Sequence, residues 1–388
     1  MGRSVALVAA AAASMTLLAS CSGDDEPRTA PTDTVTATPH SPSTPATTPS
    51  KPTGDNSPEV DDTPPTVVRT VATGLAAPWG IAFLPDGDAI VTERDTRRVL
   101  VIDGSTYDVH QVGLISAAVP NGTTGGEAGL LGVAVSPDFR QDHLVYFYLS
   151  TAADNRIVRA RLERGRLGPT TVVLDGIPNG VIHDGGRLAF GPDGYLYAST
   201  GETGDGELAQ DRSTLAGKIL RMTTDGKPAP GNPFPGSQIW SYGHRNVQGL
   251  AFDDSGRLWA SEFGQDTYDE LNLIQKGHNY GWPMVEGRGE GEGLTNPQVV
   301  WSTDEASPSG LAYLDGHLWM ASLHGERLWR VDVHGDQAVH PVDYFVGKYG
   351  RMRTVVVTPD GQLWVSTSNR DGRGDPRPGD DRILLIDP

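Results

Sequence analysis

Short runs of apolar residues alternate with polar turn signals along most of this chain, and the runs are too short for helices. One phrase recurs six times. It has a start that is most often Gly, two or three apolar residues, an Asp-Gly-type turn, and then an apolar run. The copies begin at Gly80 (GIAFLPDGDAIVTE), Gly132 (GVAVSPDFRQDHLVYFY), Arg187 (RLAFGPDGYLYAST), Gly249 (GLAFDDSGRLWASE), Gly310 (GLAYLDGHLWMAS) and Thr354 (TVVVTPDGQLWVST). Two β-rich runs around such a turn predict a hairpin, because Gly or Asp reaches positive φ at low cost. Copies spaced 44 to 62 residues apart predict one four-stranded sheet per copy. The expected fold is all-β, a six-bladed β-propeller, with the active site in its central channel.

A chain of 388 residues is long enough for one large domain of this kind, and 48 Gly and 29 Pro suit a turn-rich β fold. The formal net charge of −18 argues against nucleic acid as a partner, since phosphates would be repelled. Against that acidic background, a local cluster of Arg is informative.

The N-terminus reads as a targeting segment. Arg3 supplies a positive start, and Val5 to Leu18 is an Ala-rich apolar stretch too short for a comfortable membrane span. Leu18-Ala19-Ser20-Cys21 resembles a bacterial lipobox, with Cys21 the lipidated residue. Cys21 is the only Cys, so a disulfide or a Cys-based metal site is excluded. The expected organisation is a lipoprotein signal peptide over 1–20, a lipidated Cys and Ser/Thr/Pro-rich tether over 21–66, and the propeller over 67–388. The tether lacks the hydrophobicity to offset the entropy of folding. The protein is expected outside the cytoplasm, held to the outer face of the cell membrane by the lipid alone.

Polar chemistry is densest between Leu215 and Pro283, in LAGKILRMTTDGKP, IWSYGHRNVQGLAF and SEFGQDTYDELNLIQKGHNYGWP. Elsewhere, Arg351 and Arg353 stand two apart on an expected strand and face one side. Such a pair holds an anion or lies on a solvated strand edge. His183 is one of ten His and reads as structural or catalytic. Asp269 and Glu270 read by themselves as surface acids, common in a chain this acidic.

Three further motifs join these: GEAGLLGVAVSPDF (126–139), HDGGRLAFGPDG (183–194) and YGRMRTVVVTPDG (349–361). Together they resemble the soluble glucose/sorbosone (aldose) dehydrogenases that use pyrroloquinoline quinone (PQQ) on a six-bladed propeller. The resemblance spans residues 68–388. It implies PQQ- and calcium-dependent oxidation of an aldose at C1 to the lactone, with electrons passed to an external acceptor, a quinone or redox protein. PQQ bears three carboxylates, so its site needs cations, a metal and a base.

The resemblance also implies roles. His183 is the base, Glu202 the acid that orients its ring, and Arg245 and Asn246 reach the quinone oxygens. Arg351 and Arg353 contact the carboxylates, and Glu127 lies near substrate and cofactor. His324 stands where some relatives carry Lys, which puts the pH dependence of cofactor binding in question. The carbonyls of Gly264 and Gln265 match the loop that binds the cofactor's Ca²⁺, although relatives usually have Pro at the second position. Asp269 and Glu270, with the Tyr280 carbonyl, resemble a second, structural Ca²⁺ site. Asp184 is expected to point away from the site, and Lys218 to be structural. Two other classes stay open: a calcium-dependent lactonase or esterase propeller, and a non-catalytic binding propeller on a tether.

Overall fold

The structure is a computed structural model and describes residues 63–388. The expected signal peptide, Cys21 and all but the end of the tether lie outside the described residues. The described chain forms six antiparallel sheets. Each repeat copy supplies the inner two strands of one sheet. The inner strands are Pro78–Phe83, Leu130–Val135, Leu188–Phe190, Asn246–Phe252, Pro308–Leu314 and Met352–Val357, in blades 1 to 6. The expected six-bladed propeller is the observed fold.

The turns obey the predicted chemistry in most copies: Gly87, Gly194, Gly256, Gly316 and Gly361 all sit at positive φ. The Asp-Phe copy differs. There a helical turn over Phe139–Asp142 lengthens the connection, and His143 takes the left-handed conformation at φ 54°. Blade 6 closes the ring. The first strand, Thr66–Ala72, pairs antiparallel with the last, Ile383–Asp387, so the two ends of the domain meet in one sheet. This strand starts one residue before the expected tether boundary.

The glycine that opens most copies has a packing cause. Around the axis the inner strands approach so closely that a side chain does not fit. A Cβ on Gly132 would lie 2.1 Å from the Gly186 carbonyl oxygen, and one on Gly249 2.4 Å from that of Ser309. The two copies without Gly put their side chains to use. Arg187 of blade 3 reaches Thr354 Oγ1 of blade 6 at 3.3 Å, and its guanidinium stacks 4.3 Å above the Trp79 ring. Apolar faces of neighbouring blades bury the rest, with Trp79, Trp259 and Trp319 among the largest fully enclosed side chains.

Candidate active site

A cavity of about 360 Å³ lies among the loops at one end of the inner strands. Among the residues expected from sequence, Glu127, His183, Arg245, Asn246, Gly264, His324, Arg351 and Arg353 line it. They come from segments more than two hundred residues apart, brought together because each blade points the same loops at the same end.

His183 is fixed from three directions. Its ring Nδ1 lies 2.5 Å from Glu202 Oε1. Its backbone N–H donates to Glu127 Oε2 at 3.1 Å, and its carbonyl accepts from Thr203 N at 3.2 Å. Its backbone sits in the left-handed region at φ 58°, which costs a non-Gly residue energy and needs such support. Gly201 lets the chain pass: a Cβ there would meet the His183 carbonyl. With Nδ1 engaged, Nε2 is the ring nitrogen available to the cavity. Glu202 is buried, and its Oε2 has no protein partner. Asp184 points away, as expected. Its Oδ1 accepts from Asn155 Nδ2 at 2.9 Å and Gly180 N at 3.1 Å, and burial pushes its pKa up to about 7.

Five arginines line the cavity: Arg94, Arg245, Arg351, Arg353 and Arg373. Arg351 and Arg353 share one carboxylate oxygen, Asp371 Oδ2, at 3.2 and 3.1 Å. They are buried, so the solvated strand edge is ruled out. Burial works to raise the Asp371 pKa, but Arg353 and Arg351 outweigh it and leave it at about 2. Burial lowers Arg353 to about 10, with Asp371 opposing. Arg373 pairs with Glu127 at 3.1 Å, and Arg94 with Asp95 at 2.9 Å.

Arg245 is placed by Glu262, whose Oε1 takes the Arg245 backbone N–H while Oε2 takes the buried His244 ring at 2.8 Å. The guanidinium itself is poorly satisfied. Its Nη1 reaches the Phe263 carbonyl only at 3.4 Å, and its Nε is buried with no partner. A buried charged donor without an acceptor is costly unless an anionic oxygen completes it. A quinone bearing three carboxylates fits this cavity: its walls hold more positive than negative charge, and the Nε of Arg245 lacks an acceptor.

The expected metal residues separate. Gly264 lines the cavity, whereas Gln265 is exposed beside it. Asp269 and Glu270 are consecutive on the strand Tyr268–Ile274 and so face opposite sides. Both are buried, which overturns the surface-acid reading. Asp269 accepts from Gly264 N at 2.9 Å and Ser307 N at 2.6 Å. Glu270 accepts from Gly287 N at 2.7 Å and Asn272 Nδ2 at 3.0 Å. The Tyr280 ring stacks on His244 at 4.6 Å. Among the described residues, no group of three or more His, Cys, Asp or Glu is arranged to hold a metal ion. His324 sits at the rim, its side chain 61% exposed. Lys218 is fully enclosed and donates to the carbonyls of Leu208, Ala209 and Ala216, a structural role.

Sequence reasoning missed Arg94, Arg373, Asp371 and Gln248, whose Oε1 lies 3.2 Å from Arg353 Nη1. A positional signal exists for three of them: Arg94, Asp371 and Arg373 follow the second strand of a blade at the channel end, as the expected Glu202, Gly264 and His324 do.

The chain is 56% identical to the aldose sugar dehydrogenase of Streptomyces coelicolor, whose structure is of the PQQ-bound form. That likeness has a TM-score of 0.81 and covers 84% of this chain and 98% of the other. It is 31% identical to the aldose sugar dehydrogenase of Escherichia coli over 344 residues, which are 79% of this chain and 91% of the relative. The model of the glucose/sorbosone dehydrogenase family matches residues 75–383. With its propeller, its buried histidine–carboxylate couple and its arginine-lined cavity, the chain belongs to the glucose/sorbosone dehydrogenase family of oxidoreductases.

Proposed function

We propose that the protein oxidises an aldose at C1 to the lactone, using PQQ and Ca²⁺, and passes the electrons to an external acceptor. The observation that carries this reading is that His183, its ring held by Glu202, lines the same cavity as Arg245, whose Nε has no acceptor.

The residues divide the work. His183 Nε2 takes the proton of the C1 hydroxyl, and Glu202 stabilises the imidazolium that results. When bound, PQQ supplies the quinone that accepts the hydride equivalent from C1. Arg351, Arg353 and Arg94 would hold its carboxylates, and Arg245 with Asn246 its quinone oxygens. Arg245 donates where negative charge develops. Glu127 fixes both the His183 backbone and the Asn246 side chain, at 3.1 and 3.3 Å. The Gly264 and Gln265 carbonyls would hold Ca²⁺, a hard cation that takes oxygen ligands and would add Lewis-acid polarisation.

Reconstitution tests the proposal. The metal-stripped protein receives PQQ and Ca²⁺ together and separately, and dye reduction is followed with a panel of aldoses. Sugar-dependent reduction that needs both additions supports it. Metal-dependent ester or lactone hydrolysis without quinone would move the assignment to the hydrolase class. Absence of PQQ binding would favour a binding propeller. We also propose the lipid anchor at Cys21. Replacement of Cys21 by Ser should release the protein from the membrane fraction.

A further inference from the structure

The loop after the second strand of blade 4 turns five successive amides toward two carboxylates. Gly264 N donates to Asp269 Oδ1 at 2.9 Å. The next four amides all donate to a single oxygen, Glu286 Oε1: Gln265 at 2.7 Å, Asp266 and Thr267 at 2.9 Å, and Tyr268 at 3.2 Å. A run of amides wrapped on one anion is a nest. Glu286 lies in the connection between the strands Tyr268–Ile274 and Val299–Ser302.

The consequence lies on the other side of the loop. All its peptide bonds are trans. In a trans peptide the carbonyl points opposite to its N–H. With the amides of Gly264 to Tyr268 committed, the carbonyls of Phe263, Gly264 and Gln265 turn away from the two carboxylates. The Phe263 carbonyl, opposite the Gly264 N–H that Asp269 takes, meets Nη1 of the cavity-lining Arg245 at 3.4 Å. Gly264 itself lines the cavity. A Cβ at Gly264 would collide with the Tyr268 carbonyl, so the tight closure of the loop requires glycine.

We infer that Glu286 is a positioning residue that fixes the peptides carrying the Gly264 and Gln265 carbonyls, the oxygens proposed to hold a divalent cation, with Asp269 anchoring the first peptide of the loop from behind. The inference rests on the proposed calcium reading and gives it a structural cause. It also gives Asp269 a role other than direct ligation. A loop held in place binds a hard cation more tightly than a loose one, because an unheld loop must be ordered at the moment of binding.

The test is calorimetric titration of the metal-stripped full chain with Ca²⁺, with and without PQQ, for the wild type, Glu286→Ala and Glu286→Gln. Melting of each metal-free protein is recorded alongside. Glu286→Ala should weaken Ca²⁺ binding by about tenfold or more, the usual scale for a group that orients ligands. Glu286→Gln keeps an acceptor oxygen and should recover much of the affinity. The metal-free melting temperatures should stay close together. Wild-type affinity in a folded Glu286→Ala overturns the inference and leaves the calcium reading standing. Equal affinity losses in both variants, matched by equal losses of metal-free stability, also overturn it. A wild type that takes up no Ca²⁺ in either condition overturns the calcium reading, and the inference with it.

Discussion

His183 Nδ1 and Glu202 Oε1 lie 2.5 Å apart, and both side chains are buried. This contact fixes which ring nitrogen is free for the substrate. Glu202→Gln keeps the shape and removes the charge that steadies a protonated ring. We predict a fall in kcat of about 100-fold or more, the lower end of what general-base catalysis contributes. His183→Ala should abolish turnover. Both variants should still bind PQQ, which absorbance titration checks. His183→Ala retaining most of its activity would show that the base lies elsewhere.

Arg245 has a donor with no acceptor, so removing the side chain should hurt binding more than folding. We predict that Arg245→Met weakens PQQ binding by about 10-fold or more, the scale of a lost hydrogen bond to a charged group. The cofactor-free melting temperature should hold or rise. A melting temperature several degrees lower, with unchanged PQQ affinity, would make Arg245 structural.

Asp371 is the anion between Arg351 and Arg353, and its pKa of about 2 is depressed below the ordinary 3.8. A depressed carboxyl contributes stability that is present above its unfolded pKa. That stability is lost as pH falls through the folded value. Asp371→Asn should therefore cost on the order of 2 kcal/mol at neutral pH. The gap to wild type should narrow between about pH 4 and pH 2. Denaturant titration across that range measures it, and a pH-independent gap would refute the electrostatic cause.

Asp184 is the opposite case, raised by burial to about 7 from 3.8. The folded state keeps its proton where the unfolded state has lost it, so this group makes stability fall as pH rises from about 4 to 7. Asp184→Asn should be more stable than wild type at pH 8, by on the order of 1 kcal/mol or more, and nearly equal at pH 4. Equal stabilities at both pH values would show that Asp184 ionises freely.

Gly132 faces the Gly186 carbonyl oxygen at a distance that leaves no room for a Cβ. Both groups belong to backbone, so neither can rotate away. Gly132→Ala should cost roughly 2 kcal/mol or more. A hairpin-tip control, Gly316→Ala, meets nothing within 4 Å but sits at φ 84°. It should cost less. A Gly132→Ala melting temperature at or above that of the control would remove close approach as the reason for the repeat's glycine.

Local patterning was enough to determine the propeller. Six copies of one hairpin phrase are local facts, and a four-stranded sheet is their cheapest common burial. The motifs around His183, Arg245 and Arg351 also marked part of the cavity wall, through their resemblance to a known family. Tertiary structure decided the rest. Arg94 meets the Asp371 carbonyl across 277 residues, and Arg373 meets Glu127 across 246. Only closure of the ring brings such loops together. Asp269 and Glu270 show the converse, since neighbours in sequence on a strand are strangers in space: strand alternation sends one to the Gly264 loop and the other to Gly287. Glu286 had no signature at all. Its meaning is the shape of the backbone it holds, and a backbone shape made by a distant carboxylate leaves no local trace in a sequence.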